Sequence, residues 1–164
     1  MQYNEFLSIL SVAEKLKCNT RHSDTSSGRR ESVAEHSWRL ALMAMLLADE
    51  FPNTDINKVI QMCLIHDLGE AFTGDIATFD KTDADSVKED MVYADWVETF
   101  PEVQKKQFQD LLAEMNALQT KEAKLYKALD ICTVTEKKYV VTGRDTGVTS
   151  AEFADYVMET IAKM

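Results

Sequence analysis

The stretch Val59-Ile-Gln-Met-Cys-Leu-Ile-His66-Asp67 places two adjacent ionisable residues at the end of an apolar helical segment. Buried charges in proteins are usually paired or bound to a metal, because an unpaired charge is costly to remove from water. His36 upstream and Asp130 downstream also lie in or beside strongly apolar helical sequence. Two imidazoles and two carboxylates at apolar positions therefore predict a metal site.

The types of these four side chains indicate which ion the site binds. Imidazole and carboxylate are the usual ligands of Mn, Co, Fe, Ni and Zn, and carboxylate also suits Mg. Four protein ligands leave coordination positions for water, and such an open position distinguishes a catalytic site from a closed structural one. Taken singly, each histidine would be interpreted as a hydrogen-bonded core residue and Asp130 as a buried acceptor. Taken together, the four predict one divalent ion.

Two further carboxylates follow the histidine–aspartate pair, in Leu68-Gly-Glu70-Ala-Phe-Thr-Gly-Asp75. Glu70 and Asp75 are close in sequence to the predicted ion. One of them could orient a water or take its proton, while the other could protonate a leaving oxygen. The alternative is that Glu70 is a solvated helix-end carboxylate and that Asp75 caps a turn. The spacing alone leaves both interpretations open.

The length and composition fit one soluble globular domain. The chain has 164 residues, 45% of them hydrophobic, so residues 1–164 are expected to form a single domain. The longest apolar run, Leu40 to Ala48, is too short to span a bilayer. The N-terminus lacks a signal-peptide pattern, and three cysteines without zinc-finger spacing favour a reduced, cytoplasmic setting. The net charge of −10 argues against nucleic acid or an anionic membrane as a partner.

The charge is nevertheless uneven. Residues 15–39 hold six basic and three acidic side chains, including Arg21, Arg29 and Arg30. Guanidinium groups match the oxygens of a phosphate, so this basic segment suits a small phosphorylated ligand. The alternative is a solvated loop that is basic by composition alone.

The hydrophobic periodicity predicts an all-α domain, in keeping with only five glycines and two prolines. A Ser32–Glu35 capping box is expected to begin the second helix, which would place His36 in its first turn. The segment Leu40–Ala48 is apolar on all sides, as expected of a central helix, and Trp38 and Trp96 are interpreted as packing residues. The last helix could cover the core or meet another subunit. The predicted helices are 2–17, 32–48, 55–68, 84–99, 101–118, 120–141 and 150–162, with a loop at 18–31.

The order and spacing of His36, His66-Asp67 and Asp130 resemble those of the HD-domain phosphohydrolase superfamily, named for that dyad. The stretches Glu31-Ser-Val-Ala-Glu-His-Ser and Leu64-Ile-His-Asp-Leu-Gly-Glu-Ala-Phe-Thr-Gly-Asp75 look like its branch of small bacterial 5′-deoxynucleotidases. The resemblance covers most of residues 10–142. It implies an all-helical bundle of about six to seven helices and a homodimer. It also implies one divalent ion and the release of phosphate from deoxyribonucleoside 5′-monophosphates.

The resemblance also implies roles for individual residues. The ion would be held by His36, His66, Asp67 and Asp130. Glu70 and Asp75 would be the catalytic carboxylates. Arg21 would contact the phosphate. Beyond the resemblance, Arg29 and Arg30 of the same basic segment are candidate helpers in binding it.

One position departs from the family pattern. Relatives commonly have a tryptophan three residues after the phosphate-contacting arginine, near the nucleoside, where this chain has Asp24. Stacking on a base is lost there, and a carboxylate would come near the phosphate. Two alternatives to a nucleotidase therefore stay open: an HD hydrolase of nucleoside triphosphates, cyclic nucleotides or polyphosphates, and a non-catalytic nucleotide or metal sensor.

Overall fold

Helices make up most of the part of the chain that the computed structural model describes, which is residues 1–76, 82–135 and 150–164. The all-α fold class is confirmed. The helices are α1 (Tyr3–Glu14), α2 (Val33–Leu46), α3 (Ile56–Ile65), α4 (Glu70–Thr73), α5 (Asp83–Glu98), α6 (Glu102–Ala117), α7 (Lys121–Thr135) and α8 (Ser150–Ala162). Short 3₁₀ turns lie at Lys15–Lys17 and Ala48–Glu50.

The predicted boundaries of α1, α5, α6 and α8 agree with the structure to within a few residues, with α1 continued by the first 3₁₀ turn. The prediction that α7 continues to Val141 concerns residues 136–141, which lie outside the described residues. Among the described residues, no helix is both long and apolar enough to cross a bilayer.

The prediction of a structureless loop at 18–31 is wrong. The segment forms an antiparallel hairpin of β1 (Thr20–Asp24) and β2 (Arg30–Ser32). Its turn contains Gly28 at φ +80°, a left-handed backbone conformation that glycine adopts without a steric penalty. These strands are short and polar, so they lack the apolar alternation from which strands are recognised in a sequence.

The start of α2 confirms the predicted capping box. The Glu35 backbone N–H donates to Ser32 Oγ at 3.2 Å, and the Ser32 backbone N–H donates to the Glu35 carboxylate at 2.8 Å. Together these bonds satisfy two N–H groups that would otherwise have no partner at the helix start. Because the helix begins at Val33, His36 lies in its first turn, as predicted.

The end of α3 comes three residues earlier than predicted. The helix stops at Ile65, and the Leu68 N–H donates to the Ile65 carbonyl at 3.2 Å, which closes a tighter turn. His66 Nδ1 lies 2.9 Å from the carbonyl oxygen of Cys63. A carbonyl can only accept, so Nδ1 carries the proton and the side chain takes a backbone acceptor of the last helical turn. His66 and Asp67 therefore lie in a turn and not in a helix.

The core is formed mainly by α2, α3, α7 and α8. Helix α3 packs against α2 and α7, and α8 packs on α7. Complete burial of an aliphatic side chain stabilises the fold by about 1.5–3 kcal/mol. Val157 of α8 is fully buried, so the last helix covers the core. The largest fully buried aliphatic side chains are Val33, Leu40, Val59, Met62, Val97, Leu125, Leu129 and Val157.

One face of α2 is open to solvent, contrary to the prediction of a helix covered on all sides. Trp38 is 63% exposed, and Met45 and Leu46 are exposed further along the same helix. The interpretation of Trp38 as a packing residue is therefore wrong. That of Trp96 is confirmed, because its ring packs edge-on against Phe100, with ring centroids 4.8 Å apart.

Candidate metal centre and active site

The turn after α3 presents His66 and Asp67 to the interior. Tyr93, a buried residue of α5, donates its hydroxyl to the Ile65 carbonyl at 2.9 Å and so ties the end of α3 to a second helix. The side chain of His66 is almost fully buried, and its ring packs on Tyr126 of α7 with centroids 5.6 Å apart. Contacts from two other helices thus hold the histidine–aspartate pair in place.

His36, His66 and Asp67 form a compact cluster of possible metal ligands. One donor atom from each lies within 4.8 Å of the other two. Asp67 Oδ2 lies 3.0 Å from His66 Nε2 and 4.0 Å from His36 Nε2. Three donor atoms this close together can contact a single ion placed between them.

Asp130 joins this cluster from α7. Its Oδ1 lies 3.3 Å from His36 Nε2 and 3.8 Å from His66 Nε2. The structure therefore brings together all four residues that the sequence proposed as ligands, from α2, the turn after α3, and α7.

The protonation of His66 fits a metal ligand. Because Nδ1 donates to the Cys63 carbonyl, the lone pair of a neutral ring is on Nε2. This atom is buried and faces the carboxylate oxygens of Asp67 at 3.0 Å and Asp130 at 3.8 Å, to which a neutral ring has no proton to donate from Nε2. Metal-binding histidines commonly donate their second ring nitrogen to a carbonyl or carboxylate, which fixes the ring. With two carboxylates and a second imidazole beside it, the donor set suits a borderline divalent ion.

The carboxylates of the cluster are held in their charged form. Burial alone would raise the pKa of Asp67, but the adjacent His66 ring, with help from His36, lowers it to about 2. Burial likewise opposes ionisation of Asp130, whose pKa is nevertheless well below its usual range because of His36, Lys127 and His66. Ionised carboxylates are the form in which these residues bind a cation.

Two basic side chains contact the cluster. Arg21 of β1 donates from its NH1 group to Asp67 Oδ2 at 3.0 Å, and NH1 lies 3.9 Å from Asp75 Oδ1. Burial lowers the pKa of Arg21, but the surrounding carboxylates, with Asp67 the strongest, outweigh it and raise the pKa overall. Lys127 donates from Nζ to Asp130 Oδ2 at 2.8 Å. The hairpin thus brings Arg21 to the site that the resemblance implied.

Glu70 is a buried carboxyl group at the start of α4. It is 4% exposed, which rules out the interpretation as a solvated helix-end residue, and its Oε2 has no hydrogen-bond partner among the described residues. Burial, followed by repulsion from Asp67, Asp75 and Glu89, raises its pKa to about 9. Glu70 therefore carries a proton at neutral pH and can donate it.

Asp75 lies near the same Arg21 nitrogen as Asp67, at the longer distance of 3.9 Å. It follows Gly74, whose φ of +77° turns the chain away from the end of α4. Its Oδ2 is 3.0 Å from His22 Nδ1. The structure therefore brings Glu70, Asp75 and Arg21 to the same cluster as the four candidate ligands.

Arg29, Arg30 and Asp24 are not brought into this cluster. Arg29 binds the Glu35 carboxylate through both terminal nitrogens, at 2.9 and 2.7 Å. Arg30 pairs with Asp24 across the hairpin at 3.6 Å. The partners of these three residues within the described ranges thus belong to the hairpin and the start of α2. Their contact with a substrate stays a prediction.

Several site residues were missed in the sequence. Lys127 could have been found, since a lysine three residues before an aspartate lies on the same helix face. His22 gives no signal, because the polar hairpin that brings it to Asp75 lacks apolar alternation. Tyr93 gives no signal in the sequence, since it reaches the end of α3 from another helix.

The pKa of Glu70 predicts a pH-dependent stability of the metal-free protein. The pKa of Glu70 in the folded state is about 9, above the ordinary value of 4.5. The protonated carboxyl group therefore makes its full contribution to stability below about pH 4.5. This contribution is lost as the pH rises towards 9, at about 1.4 kcal/mol per pH unit. In urea unfolding with a chelator present, the free energy of unfolding of the wild type should fall between about pH 5 and pH 9. In Glu70→Gln this fall should be smaller by several kcal/mol. Glu159→Gln, an exposed control, should keep the wild-type slope, and an unchanged slope in Glu70→Gln would contradict the assignment.

Known proteins are similar to this chain in sequence. Human 5′-deoxynucleotidase HDDC2 is 33% identical over 106 residues, or 63% of this chain and 51% of that protein. The Xenopus laevis 5′-deoxynucleotidase HDDC2 is 36% identical over 104 residues, with 62% and 51% covered. The chain thus spans about half the length of these curated relatives.

The fold also matches a crystal structure, that of a predicted metal-dependent phosphohydrolase from Magnetospirillum magnetotacticum MS-1. The TM-score is 0.72 at 32% identity, over 96% of this chain and 82% of that one. Residues 13–161 match the family described as HD domain. Since this match includes the turn after α3 and helices α2 to α7, the protein belongs to the HD domain family.

Proposed function

We propose that the protein is a metal-dependent phosphohydrolase, most specifically a 5′-nucleotidase that releases phosphate from nucleoside or deoxynucleoside 5′-monophosphates. The observation that carries this proposal is the convergence of four metal-ligand side chains with Arg21 and the buried carboxyl group of Glu70. The names of the human and frog relatives support the choice of a 5′-deoxynucleotidase reaction. The matched region covers about half the length of those relatives, so the substrate is part of this proposal.

In this proposal one divalent ion is held by His36, His66, Asp67 and Asp130, and it is Mn, Co, Fe, Ni, Zn or Mg. When bound, such an ion supplies positive charge to a phosphate oxygen and makes a coordinated water more acidic. His66 is fixed for this role by its bond to the Cys63 carbonyl. Arg21 and Lys127 each hold one carboxylate of the ligand set in place.

The charges of the site explain why substrate binding would require the ion. Among the described residues in contact at the cluster, Asp67, Asp75 and Asp130 carry three negative charges, and Arg21 and Lys127 carry two positive ones. With both imidazoles in the neutral form that binds a metal, these five side chains sum to one negative charge and repel a phosphate dianion. A divalent ion reverses that sign, because it adds two positive charges where the field is least screened by water.

Arg21 contacts the phosphate in the proposed complex. Its guanidinium has five N–H donors, and the contacts with Asp67 and Asp75 involve only the NH1 end. Donors from the other end can bind phosphate oxygens while Asp67 stays in place. Binding through a planar fork also fixes the direction in which the phosphate presents its ester bond.

The two catalytic carboxyl groups divide proton transfer between them. Asp75 accepts the proton of the water that attacks phosphorus. Glu70, kept protonated by burial, donates to the leaving 5′ oxygen. A pair of carboxyl groups whose environments give them different protonation states is a common arrangement for acid–base catalysis.

We also propose that the protein is a homodimer. Two stripes of apolar side chains face solvent, one along α1 and one along α2. Helix α1 has no buried residue, so contacts within the chain give it little support. Exposed apolar patches of this kind usually mark an interface. The stripes consist of Tyr3, Phe6, Leu7 and Leu10 in α1, and of Trp38, Leu42, Met45 and Leu46 in α2.

Two broader proposals complete this description. The described helices share one hydrophobic core, which supports a single HD domain over residues 1–164. Cys18 and Cys63 are thiols, which supports a reducing, cytoplasmic environment.

A substrate screen tests the proposed reaction. With added Mn, Co or Ni, the protein should release phosphate from nucleoside 5′-monophosphates. Asp67→Ala should lower kcat/KM at least about a thousandfold, equivalent to ~4 kcal/mol, because metal charge stabilises the transition state by several kcal/mol. Asp110→Ala, at an exposed aspartate of α6, is the matched control and should retain activity.

Other outcomes of the screen would contradict the proposal in defined ways. Turnover of triphosphates, cyclic nucleotides or polyphosphates in place of monophosphates would move the substrate to another nucleotide class. Nucleotide binding without turnover would favour a sensor, as the absence of a stacking tryptophan at Asp24 suggests. Full activity of Asp67→Ala would exclude a metal-dependent hydrolase.

The homodimer predicts a measurable mass in solution. Light scattering after size exclusion should give twice the chain mass of 18.6 kDa. Trp38→Glu combined with Met45→Glu should shift the protein to a monomer, since charges in an apolar interface are costly to bury. Val103→Glu, at an exposed apolar residue of α6, should leave the mass unchanged. A wild-type mass of one chain would contradict the dimer.

A further inference from the structure

His22 makes a contact for which the proposed mechanism has no role so far. It follows Arg21 in β1, and its Nδ1 lies 3.0 Å from Asp75 Oδ2. A carboxylate can only accept, so Nδ1 is the donor in this bond. The other oxygen, Oδ1, lies on the side of Arg21, 3.9 Å from NH1. Two consecutive residues of one strand thus approach the two oxygens of the same carboxylate.

Asp75 depends on such contacts because it lies beyond the end of α4. The helix stops at Thr73, and Gly74 then turns the chain through a left-handed conformation. Asp75 is thus outside a helix, yet its side chain is largely buried. Within the described part of the chain, β1 contacts this side chain through Arg21 and His22. The orientation of the proposed general base is therefore set by the hairpin.

The hairpin is held against α4 at a second point. Asn19, just before β1, donates from its side chain to the Glu70 carbonyl at 2.5 Å. Its own carbonyl accepts from the Val33 N–H at 2.9 Å, which connects it to the start of α2. Three residues after Asn19 comes His22, and five residues after Glu70 comes Asp75. The contacts of Asn19 with Glu70 and of His22 with Asp75 fix β1 alongside the segment that bears both catalytic carboxyl groups.

The contact matters because Arg21 has a second task in the proposed reaction. When the Arg21 guanidinium binds the phosphate, its interaction with the Asp75 carboxylate becomes weaker. The bond from His22 does not compete with the substrate in this way, since it lies on the outer side of the carboxylate. It can hold Oδ2 in place while Oδ1 faces the attacking water.

We propose that His22 is a positioning residue, which orients the Asp75 carboxylate through its Nδ1–H group during phosphate-ester hydrolysis. This inference rests on the proposed function. Within the described part of the chain the His22 side chain pairs with Asp75 and not with a proposed metal ligand, and it is 58% exposed. It acts on the reaction only through Asp75.

The ring geometry provides a discriminating set of variants. The substitution His22→Asn supplies an amide nitrogen that can occupy the position of Nδ1, whereas His22→Gln places its amide near the position of Nε2. His22→Ala removes the donor altogether. Thr20→Ala is the control, because Thr20 lies on the same exposed face of β1.

With Mn and a nucleoside 5′-monophosphate, His22→Ala should lower kcat about tenfold, since hydrogen bonds to a charged acceptor are stronger than neutral ones. The KM and the affinity for Mn should change by less than about twofold, because neither substrate nor metal contact is lost. His22→Asn should recover most of kcat, His22→Gln should not, and Thr20→Ala should match wild type. In the Asp75→Asn background, His22→Ala should cause no further loss.

Nitrogen-15 NMR of the histidine rings tests the contact without turnover. The Nδ1 signal of His22 should show a protonated, hydrogen-bonded nitrogen in wild type and should shift in Asp75→Asn. If the wild type turns over substrate and His22→Ala has the same kcat, the role of His22 is wrong while the proposed function stands. The same holds if His22→Asn and His22→Ala lose kcat equally. An inactive wild type would overturn the proposed function and with it this role, even if the NMR contact is present.

Discussion

The hydrogen bond from His66 Nδ1 to the Cys63 carbonyl is the interaction on which the site depends. It engages a backbone acceptor of the last turn of α3, next to the point where the helix gives way to a turn. His66 keeps helical dihedral angles at this point, with φ −59° and ψ −39°, and its Nε2 lies 3.0 Å from Asp67 Oδ2. The bond to the Cys63 carbonyl leaves Nε2 as the lone-pair nitrogen, facing His36 and Asp130.

Electrostatic balance is the second constraint on this arrangement. The buried carboxylates are costly to desolvate, and the structure offsets that cost with two imidazoles and two basic side chains. Lys127 and Arg21 hold the ligand carboxylates in the metal-free state. Glu70 Oε2 has no hydrogen-bond partner among the described residues, and burial raises the pKa of this carboxyl group to about 9, which favours its protonated form. One cluster therefore contains both charged ligands and a proton donor, although all are carboxyl groups.

The sequence predicted the parts of the site that local chemistry determines. The capping box placed His36 in the first turn of α2, and the apolar surroundings of Asp130 indicated a buried carboxylate with a function. The parts it did not predict depend on long-range contacts. The hairpin has no apolar alternation, so the sequence pattern does not indicate the contact of His22 with Asp75. The early end of α3 depends on a side-chain bond to the backbone, supported by Tyr93 from another helix. The exposure of Trp38 depends on which face of α2 the other helices leave open.

The central claim is that these four side chains bind one divalent ion. Crystals grown with Mn and measured at its absorption edge test it directly. An anomalous peak should lie in contact with His36 Nε2, His66 Nε2 and one oxygen each of Asp67 and Asp130. A calorimetric titration should show one Mn per chain in wild type and none in His66→Ala. An ion bound elsewhere, or undiminished affinity in His66→Ala, would contradict the assignment.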